Sequence, residues 1–313
     1  SGSGKSTLVR MINGLIHPSA GQMLVDGVDV ANCSADELRK VRREKVAMVF
    51  QHFALFPHKT VAENVAFGLK VRGIKPTERR ERAQAALDQV GLGARADSYP
   101  DQLSGGMQQR VGLARGLASE PEILLMDEPF SALDPLIRGD MQQELLELQR
   151  SLKKTIVFIT HDLSEALTLG NTIAIMRNGA IVQTGDAQEI VGSPANDYVQ
   201  AFTKDVDRSL VFTAQSVAMP VDALPLGQSD LVAALARMDL VGADAIHVAD
   251  DGRPVGVITY RAATAALRAG HTIEDVLDRD FPTATPQTLL ADLYPLARSG
   301  LPIAVTDQSG RLS

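Results

Sequence analysis

Four apolar residues, Ile123-Leu124-Leu125-Met126, run without interruption into two acids, Asp127-Glu128. A strand with one face in water alternates apolar and polar side chains, so an unbroken apolar run of this length must be covered on both faces. Two further runs, 46–50 and 156–159, have the same character. Helical patterns lie between them, notably over 78–90, 106–117 and 136–152. Strands separated by helices predict a parallel sheet sandwiched between helical layers, an α/β fold. Such a sheet delivers the residues after each strand to its carboxyl edge, where α/β proteins bind ligands. The two acids are therefore placed as candidates for chemistry. A solvated pair of charges at a strand end is the plain alternative.

The chain opens on Ser1-Gly2-Ser3-Gly4-Lys5-Ser6-Thr7, followed by a helical pattern through Leu8, Val9, Met11, Ile12 and Leu15 that is expected to close near Pro18. Glycines ahead of a helix let successive N–H groups turn inward around phosphate oxygens, and the helix N-terminus adds partial positive charge. In such a loop Lys5 reaches the β- and γ-phosphates and the Ser6 hydroxyl ligates Mg²⁺. Gly2, Ser3, Gly4 and Thr7 complete the candidate cradle. A Gly/Ser linker ahead of a lysine is the alternative. The loop reads as entered part-way through, without its first glycine or the strand that launches it. Downstream, Asp26-Gly27 between short β-branched runs predicts a hairpin with a type I′ turn. A second hairpin is expected where Arg177-Asn178-Gly179-Ala180 joins 173–176 to 181–183.

Lysine disappears after Lys204, and the texture becomes alanine-rich helices alternating with short strands. Here Leu231, Leu235, Met238 and Gly242 recur as Leu289, Leu293, Leu296 and Gly300. Ala245-Ile246-His247-Val248-Ala249-Asp250 recurs as Pro302-Ile303-Ala304-Val305-Thr306-Asp307, and Gly252-Arg253 as Gly310-Arg311. This spacing predicts a tandem repeat over 220–313 whose second copy stops early. Thirty-one Lys and Arg against 38 Asp and Glu give a net charge of −7, which argues against nucleic acid as the main partner. The tail alone carries seven arginines against twelve acids. One cysteine excludes a disulfide framework and a four-cysteine zinc site. No apolar run approaches the ~18 residues that span a bilayer.

Leu103-Ser104-Gly105-Gly106-Met107-Gln108-Gln109-Arg110 is the most diagnostic segment. It resembles the signature of ATP-binding cassette (ABC) ATPases, which reads LSGGQ at the start of a helix, with Met107 in place of the usual Gln. The resemblance covers about 1–205 and extends in order through Gln51 of Val49-Phe50-Gln51, Asp127-Glu128, Ser131-Ala132-Leu133-Asp134 and His161 after Ile156-Val157-Phe158-Ile159-Thr160. It implies a P-loop NTPase domain with a helical subdomain, hydrolysing ATP with Mg²⁺. Under it Glu128, His161 and Gln51 are catalytic. Gly2 to Thr7, together with Ser104, Gly105, Gly106 and Asp134, bind nucleotide, while Ser6, Gln51 and Asp127 hold the metal. Ser104 to Gly106 would act on ATP bound to a second copy of the chain.

Long coiled-coil insertions, as in chromosome-organising relatives, are absent, because about 100 residues separate Lys5 from Ser104 with no sustained heptads. Met48 to Gln51, Phe130 to Arg138 and Pro194 to Val199 resemble the ATP-binding subunit of glycine betaine/proline osmoprotectant importers; another amine or amino-acid importer is the alternative. The segment from Phe53 to His58 would then be either core or a docking site for a membrane subunit. The repeat resembles a tandem CBS pair (α+β). Ala262 stands where nucleotide-binding CBS repeats usually carry an Asp, so its ligand is open. The expected domains are 1–205 (ATPase), 206–219 (linker) and 220–313 (CBS pair). The implied partners are a second copy, a transmembrane permease and, indirectly, a substrate-binding protein, with no nucleic acid. The implied location is peripheral, on the cytoplasmic face of the plasma membrane.

Overall fold

The computed structural model describes residues 2–50, 54–152, 154–219 and 223–313, with the side chains of 151 and 152 also left aside. The chain divides into two compact units, Ser1–Lys204 and Asp205–Ser313. The first contains a short hairpin, β1 (Leu24–Val25) and β2 (Val28–Asp29), then the sheet strands β3 (Val46–Val49), β4 (Ile123–Asp127) and β5 (Thr155–Ile159). A second hairpin follows, β6 (Ile173–Arg177) and β7 (Ala180–Gly185). β4 lies between β3 and β5, parallel to both, with Met126 opposite Val49 and Phe158, and Asp127 opposite Ile159.

The apolar run of β4 is explained by what covers it. Leu125 points into a cluster with Val9, Val25, Leu38 and Val41, from the helices Lys5–Ile12 and Ala35–Glu44 and the first hairpin. Leu124 and Met126 point the opposite way, into a larger cluster with Val111, Leu113, Met141 and Leu145 from the helices Gly105–Leu117 and Pro135–Leu152. All three are essentially inaccessible. Burying each such side chain contributes about 1.5–3 kcal/mol. Gly106 is required by this packing: a Cβ there would lie 2.6 Å from Ile137 Cγ2.

The first helix ends sooner than its apolar pattern predicts. It stops at Ile12, with Asn13 as cap, rather than near Pro18. The reason is local: Gly14 turns left-handed at φ 67°, and Leu15 N and Gly14 N close back on Arg10 O and Met11 O at 2.8 and 2.9 Å, while Arg42 donates to the Asn13 and Gly14 carbonyls just beyond at 2.7 and 2.6 Å. Both hairpins form where turn chemistry places them. Asp26 and Gly27 have φ of 48° and 77°, and Asn178 and Gly179 have 50° and 82°, as I′ turns require.

Of the 53–58 segment, Phe53 lies outside the described residues. Leu55 packs against the larger cluster and the Phe56 ring packs tilted at 50° against Phe67, with centroids 4.6 Å apart, while Ala54, Pro57 and His58 are exposed. The fully buried Asn64 pins this segment: its Oδ1 accepts from Phe56 N at 2.7 Å, and its Nδ2 donates to the carbonyls of Phe56, Lys59 and Thr60 at 3.0–3.1 Å. Asn64→Ala strands several buried polar groups at once and is expected to lower unit stability by about 3 kcal/mol. Urea denaturation reads this; a midpoint matching wild type would show that the amide does not hold the loop.

In the second unit β8 (Leu224–Pro225) pairs in parallel with β9 (Ala245–Asp250), which pairs antiparallel with β10 (Arg253–Thr259). β11 (Thr283–Ala284) and β12 (Ala304–Val305) repeat the parallel ladder. Leu224 faces Val248 in one copy and Ala284 faces Val305 in the other. Likewise Ala249 pairs with Pro254, and its counterpart Thr306 with Leu312. The sequence repeat is thus a structural repeat. The copies are joined by an ion pair from Arg311 to Asp251 at 2.7 Å and a hydrogen bond from Leu312 N to Gly252 O. The second helix, Leu290–Ala297, is shorter than its counterpart Leu231–Val241 and contains Pro295, which lacks an N–H for the helical ladder.

Candidate functional site

Five sequence-predicted residues converge where β4 and β5 end and the helix Lys5–Ile12 begins. Gly4, the residue before that helix, has φ of 89°, a left-handed conformation that frees the first helical N–H groups to face outward. The preceding turn is braced by the second hairpin, through Gly179 N donating to Ser3 O at 3.1 Å. Lys5 Nζ lies 3.3 Å from Ser3 Oγ, folded over its own loop. One residue on, Ser6 Oγ donates to Asp127 Oδ1 at 2.7 Å. Asp127 is almost fully enclosed, and Arg10, one turn after Ser6 on the same helix face, lies 3.9 Å from its other oxygen.

Glu128 follows immediately, with φ of 47°. This left-handed conformation is uncommon for a side chain of its size, and the neighbouring chain holds it there. Glu128 N donates to Ile159 O at 3.0 Å, and Glu128 O accepts from Ser131 N and from Ser131 Oγ, at 3.3 and 2.9 Å. The carboxylate meets His161 across the sheet edge, Oε2 to Nδ1 at 3.0 Å. His161 is half exposed, whereas Glu128 is largely enclosed. A cleft of about 340 Å³ adjoins these groups, lined by Gly2, Ser3, Lys5, His161, Arg177 and Tyr198 among others. The arrangement offers a cation and free helical N–H groups for an anion, a hydroxyl and carboxylate for a hard cation, and a carboxylate hydrogen-bonded to an imidazole for proton transfer.

Other expected site residues are not brought to this point. Gln51 lies outside the described residues. Ser104 caps its own helix, accepting from Met107 N at 3.3 Å, with Gly105 and Gly106 in the first turn. Asp134 likewise caps the helix Pro135–Leu152, accepting from Ile137 N at 3.1 Å. Among the described residues no hydrogen bond or ion pair links Ser104 or Asp134 to Lys5, Asp127, Glu128 or His161. Arg10 was missed by sequence reasoning, although its i,i+4 spacing from Ser6 was a signal; Ser131 was read as part of the Ser131–Asp134 motif, but its hold on the Glu128 carbonyl was not foreseen.

A second feature is a groove of about 780 Å³ between the helices Ala35–Glu44 and Phe67–Val71. Phe67 and the 69% exposed Val71 give it an apolar side, and Arg39, Lys40, Arg42, Arg43 and Arg72 give it a cationic one. Burial, with the nearby Arg43 and Arg82 cations, pulls the Arg72 pKa below its usual range, against the opposing pull of Glu44 and Glu120.

Residues 1–131 match the family model described as ABC transporter. Over the whole chain the sequence is 48% identical to the glycine betaine transport ATP-binding protein OpuAA of Bacillus subtilis, covering 75% of that protein. It is 52% identical, over 94% of the chain and 74% of the relative, to the glycine betaine/proline betaine transport system ATP-binding protein ProV of Salmonella typhimurium. Among solved structures, an ATP-binding cassette dimer in a post-hydrolysis state bound to ADP and Pi aligns with a TM-score of 0.53 and 38% identity. That match covers 59% of this chain and 81% of the other.

Proposed function

This chain belongs to the ABC transporter family, as an ATP-binding subunit of the glycine betaine and proline betaine import group, and on that premise we propose that Lys5, Ser6, Asp127, Glu128 and His161 form its hydrolytic half-site. The protein is an ATPase that powers uptake of betaine-type osmoprotectants. The observation that carries the assignment of residues is the meeting of Glu128 with His161 beside the Ser6–Asp127 pair, at the mouth of a phosphate loop.

Lys5 and the N–H groups after Gly4 bind the phosphates of ATP, the lysine swinging from Ser3 to a more negative partner. Ser6 Oγ and Asp127 Oδ1 are hard oxygen donors from two elements, already 2.7 Å apart, and this set suits Mg²⁺, which characteristically takes one or two carboxylates and completes its shell with phosphate and water. Magnesium would neutralise phosphate charge there, and Gln51 is a further proposed ligand. Glu128 Oε accepts a proton from the water that attacks the γ-phosphorus as the bond from that phosphorus to the bridging oxygen breaks. His161, held on the same carboxylate, orients it and reaches toward the transferred phosphoryl group.

Ser104, Gly105 and Gly106 are the half-site offered to a second copy. Their helix N-terminus is an anion site, separate from the Lys5 loop of its own chain, and Asp134 accompanies it across the dimer. The apolar and cationic groove is the proposed seat of the permease's cytoplasmic segment. It adjoins the 54–58 segment through the Phe67–Phe56 ring contact. The 206–219 stretch, expected as a linker, instead packs within the second unit, Ala214 N donating to Thr288 O and Leu290 N to Phe212 O, and the repeated α+β unit is a CBS pair that regulates the ATPase. No helix among the described residues is long and apolar enough to cross a membrane. The chain works from the cytoplasmic face through the permease, which in turn receives substrate from a binding protein.

Proteoliposomes carrying the permease and the full-length protein, with the binding protein outside and ATP within, test this. Glycine betaine uptake is expected with wild type and is lost with Lys5→Ala, whose ATP affinity falls at least tenfold. Uptake that persists in Lys5→Ala would overturn the assignment.

A further inference from the structure

Glu165 is a buried carboxylate that this hydrolytic reading leaves without a task. It lies on the helix Leu163–Leu169, four residues after His161, and its side chain is 7% exposed. Thr160 Oγ1 donates to Glu165 Oε2 at 2.5 Å, and Gln142 Nε2 donates to Oε1 at 3.4 Å. Arg138 Nε stands 3.8 Å from Oε1, close enough for charge pairing but too far for a hydrogen bond, and this buried N–H has no hydrogen-bond partner among the described residues.

The same groups hold the residues on either side of His161. Thr160 Oγ1, while donating to Glu165, accepts from Asp162 N at 2.9 Å, and Arg138 Nη1 lies 3.8 Å from Asp162 Oδ2. Arg138 also reaches the 131–134 loop, donating from Nη2 to Leu133 O at 3.1 Å. That loop returns to the catalytic carboxylate through Ser131 and Glu128 O. A continuous circuit therefore runs from Glu128 to His161, through Thr160 and Asp162 to Glu165 and Arg138, then through Leu133 and Ser131 back to Glu128.

We propose that Glu165 and Arg138 are positioning residues: with Thr160 they hold the His161 ring against Glu128 and tie its placement to the 131–134 loop. The proposal rests on the hydrolytic assignment of Glu128 and His161. A half-exposed imidazole has few packing contacts to orient it, so its direction is set by the backbone on either side. Thr160 and Asp162 are the residues this cluster clamps. Misplacement of a reacting group by about 1 Å costs on the order of a hundredfold in rate.

Thr160→Val and Glu165→Gln, each in the full-length protein, test this. Valine removes the hydroxyl that joins Asp162 N to Glu165; glutamine keeps an acceptor for Thr160 but removes the charge facing Arg138. Both are expected to lower kcat for ATP about tenfold to a hundredfold with KM unchanged. Thr160→Ser, which restores the hydroxyl, is expected to recover most of the rate. Combined with His161→Ala, neither substitution is expected to slow turnover further, because there is no ring left to position.

Additive losses with His161→Ala, a loss carried by KM, or failure of serine to outperform valine would each overturn the proposal by reducing the cluster to a helix anchor. Should Glu165→Gln not fold, the Thr160 pair decides alone. Wild type and Glu128→Gln run alongside separate the two readings. A Glu128→Gln enzyme that hydrolyses normally would sink the hydrolytic assignment itself, whereas a dead Glu128→Gln with normal Thr160→Val sinks only the positioning role.

Discussion

Glu128→Gln is expected to cut steady-state ATP hydrolysis by about a hundredfold to ten-thousandfold, the range associated with losing a general base. The substitution preserves shape and removes the proton acceptor. The amide occupies the same volume, stays within reach of His161, and leaves untouched the backbone bonds to Ile159 and Ser131 that hold the residue in its left-handed conformation. Nucleotide binding is therefore retained, since Lys5, Ser6 and Asp127 are unchanged. With ATP bound and turnover blocked, the ATP-bound closed dimer should accumulate. Gel filtration in ATP, with the bound nucleotide identified afterwards, reads this directly. Wild-type turnover, or a variant that remains monomeric with ATP bound, would remove Glu128 from its role.

His161→Ala carries the second largest effect. The ring is half exposed, and its Nδ1 lies 3.0 Å from Glu128 Oε2. Removing it leaves the core intact, so stability should stay within about 0.5 kcal/mol of wild type. Turnover is expected to fall about a hundredfold, because Glu128 then loses the partner that orients it and the transferred phosphoryl group loses a donor. Paired measurements of Tm and of permease-stimulated hydrolysis separate these outcomes. A large drop in Tm would make the histidine structural, and unchanged coupled hydrolysis would remove it from the mechanism.

Much of this architecture is visible in short windows of sequence. The unbroken apolar run before Asp127 marks a strand covered on both faces, and the structure places Leu125 in one cluster and its neighbours Leu124 and Met126 in the other. Asp26-Gly27 and Asn178-Gly179 specify their turns because only a few residue types accept positive φ. The repeat in the second unit is likewise visible as spacing, and it returns as matched strand pairings. The end of the first helix also has a local signal, which the apolar pattern running on to Leu15 hides: Gly14 after Asn13 takes the left-handed conformation that closes a helix. Glu165, by contrast, is silent: four residues after a histidine, a carboxylate on a helix is ordinarily a solvated charge, and its burial depends on Arg138, Gln142 and Thr160 arriving from two other elements.

The sequence by itself determined which segments are strands, helices and turns, and which residue types could serve a phosphate-handling site. Those properties follow from periodicity and local backbone preference, which act over a few residues. The tertiary structure decided which of those groups meet. Ser6 finds Asp127 across 121 residues because the first helix packs on β4. Glu128 finds His161 because the parallel register sets Asp127 opposite Ile159, so the chains leaving the two strands diverge from neighbouring points and bring the carboxylate and the imidazole to 3.0 Å. Register is a property of the packed sheet: a one-residue slip would exchange the two buried faces of β4, forcing Leu125 into the space shaped for Leu124 and Met126 and taking Asp127 away from Ile159, so close packing rather than polarity sets it.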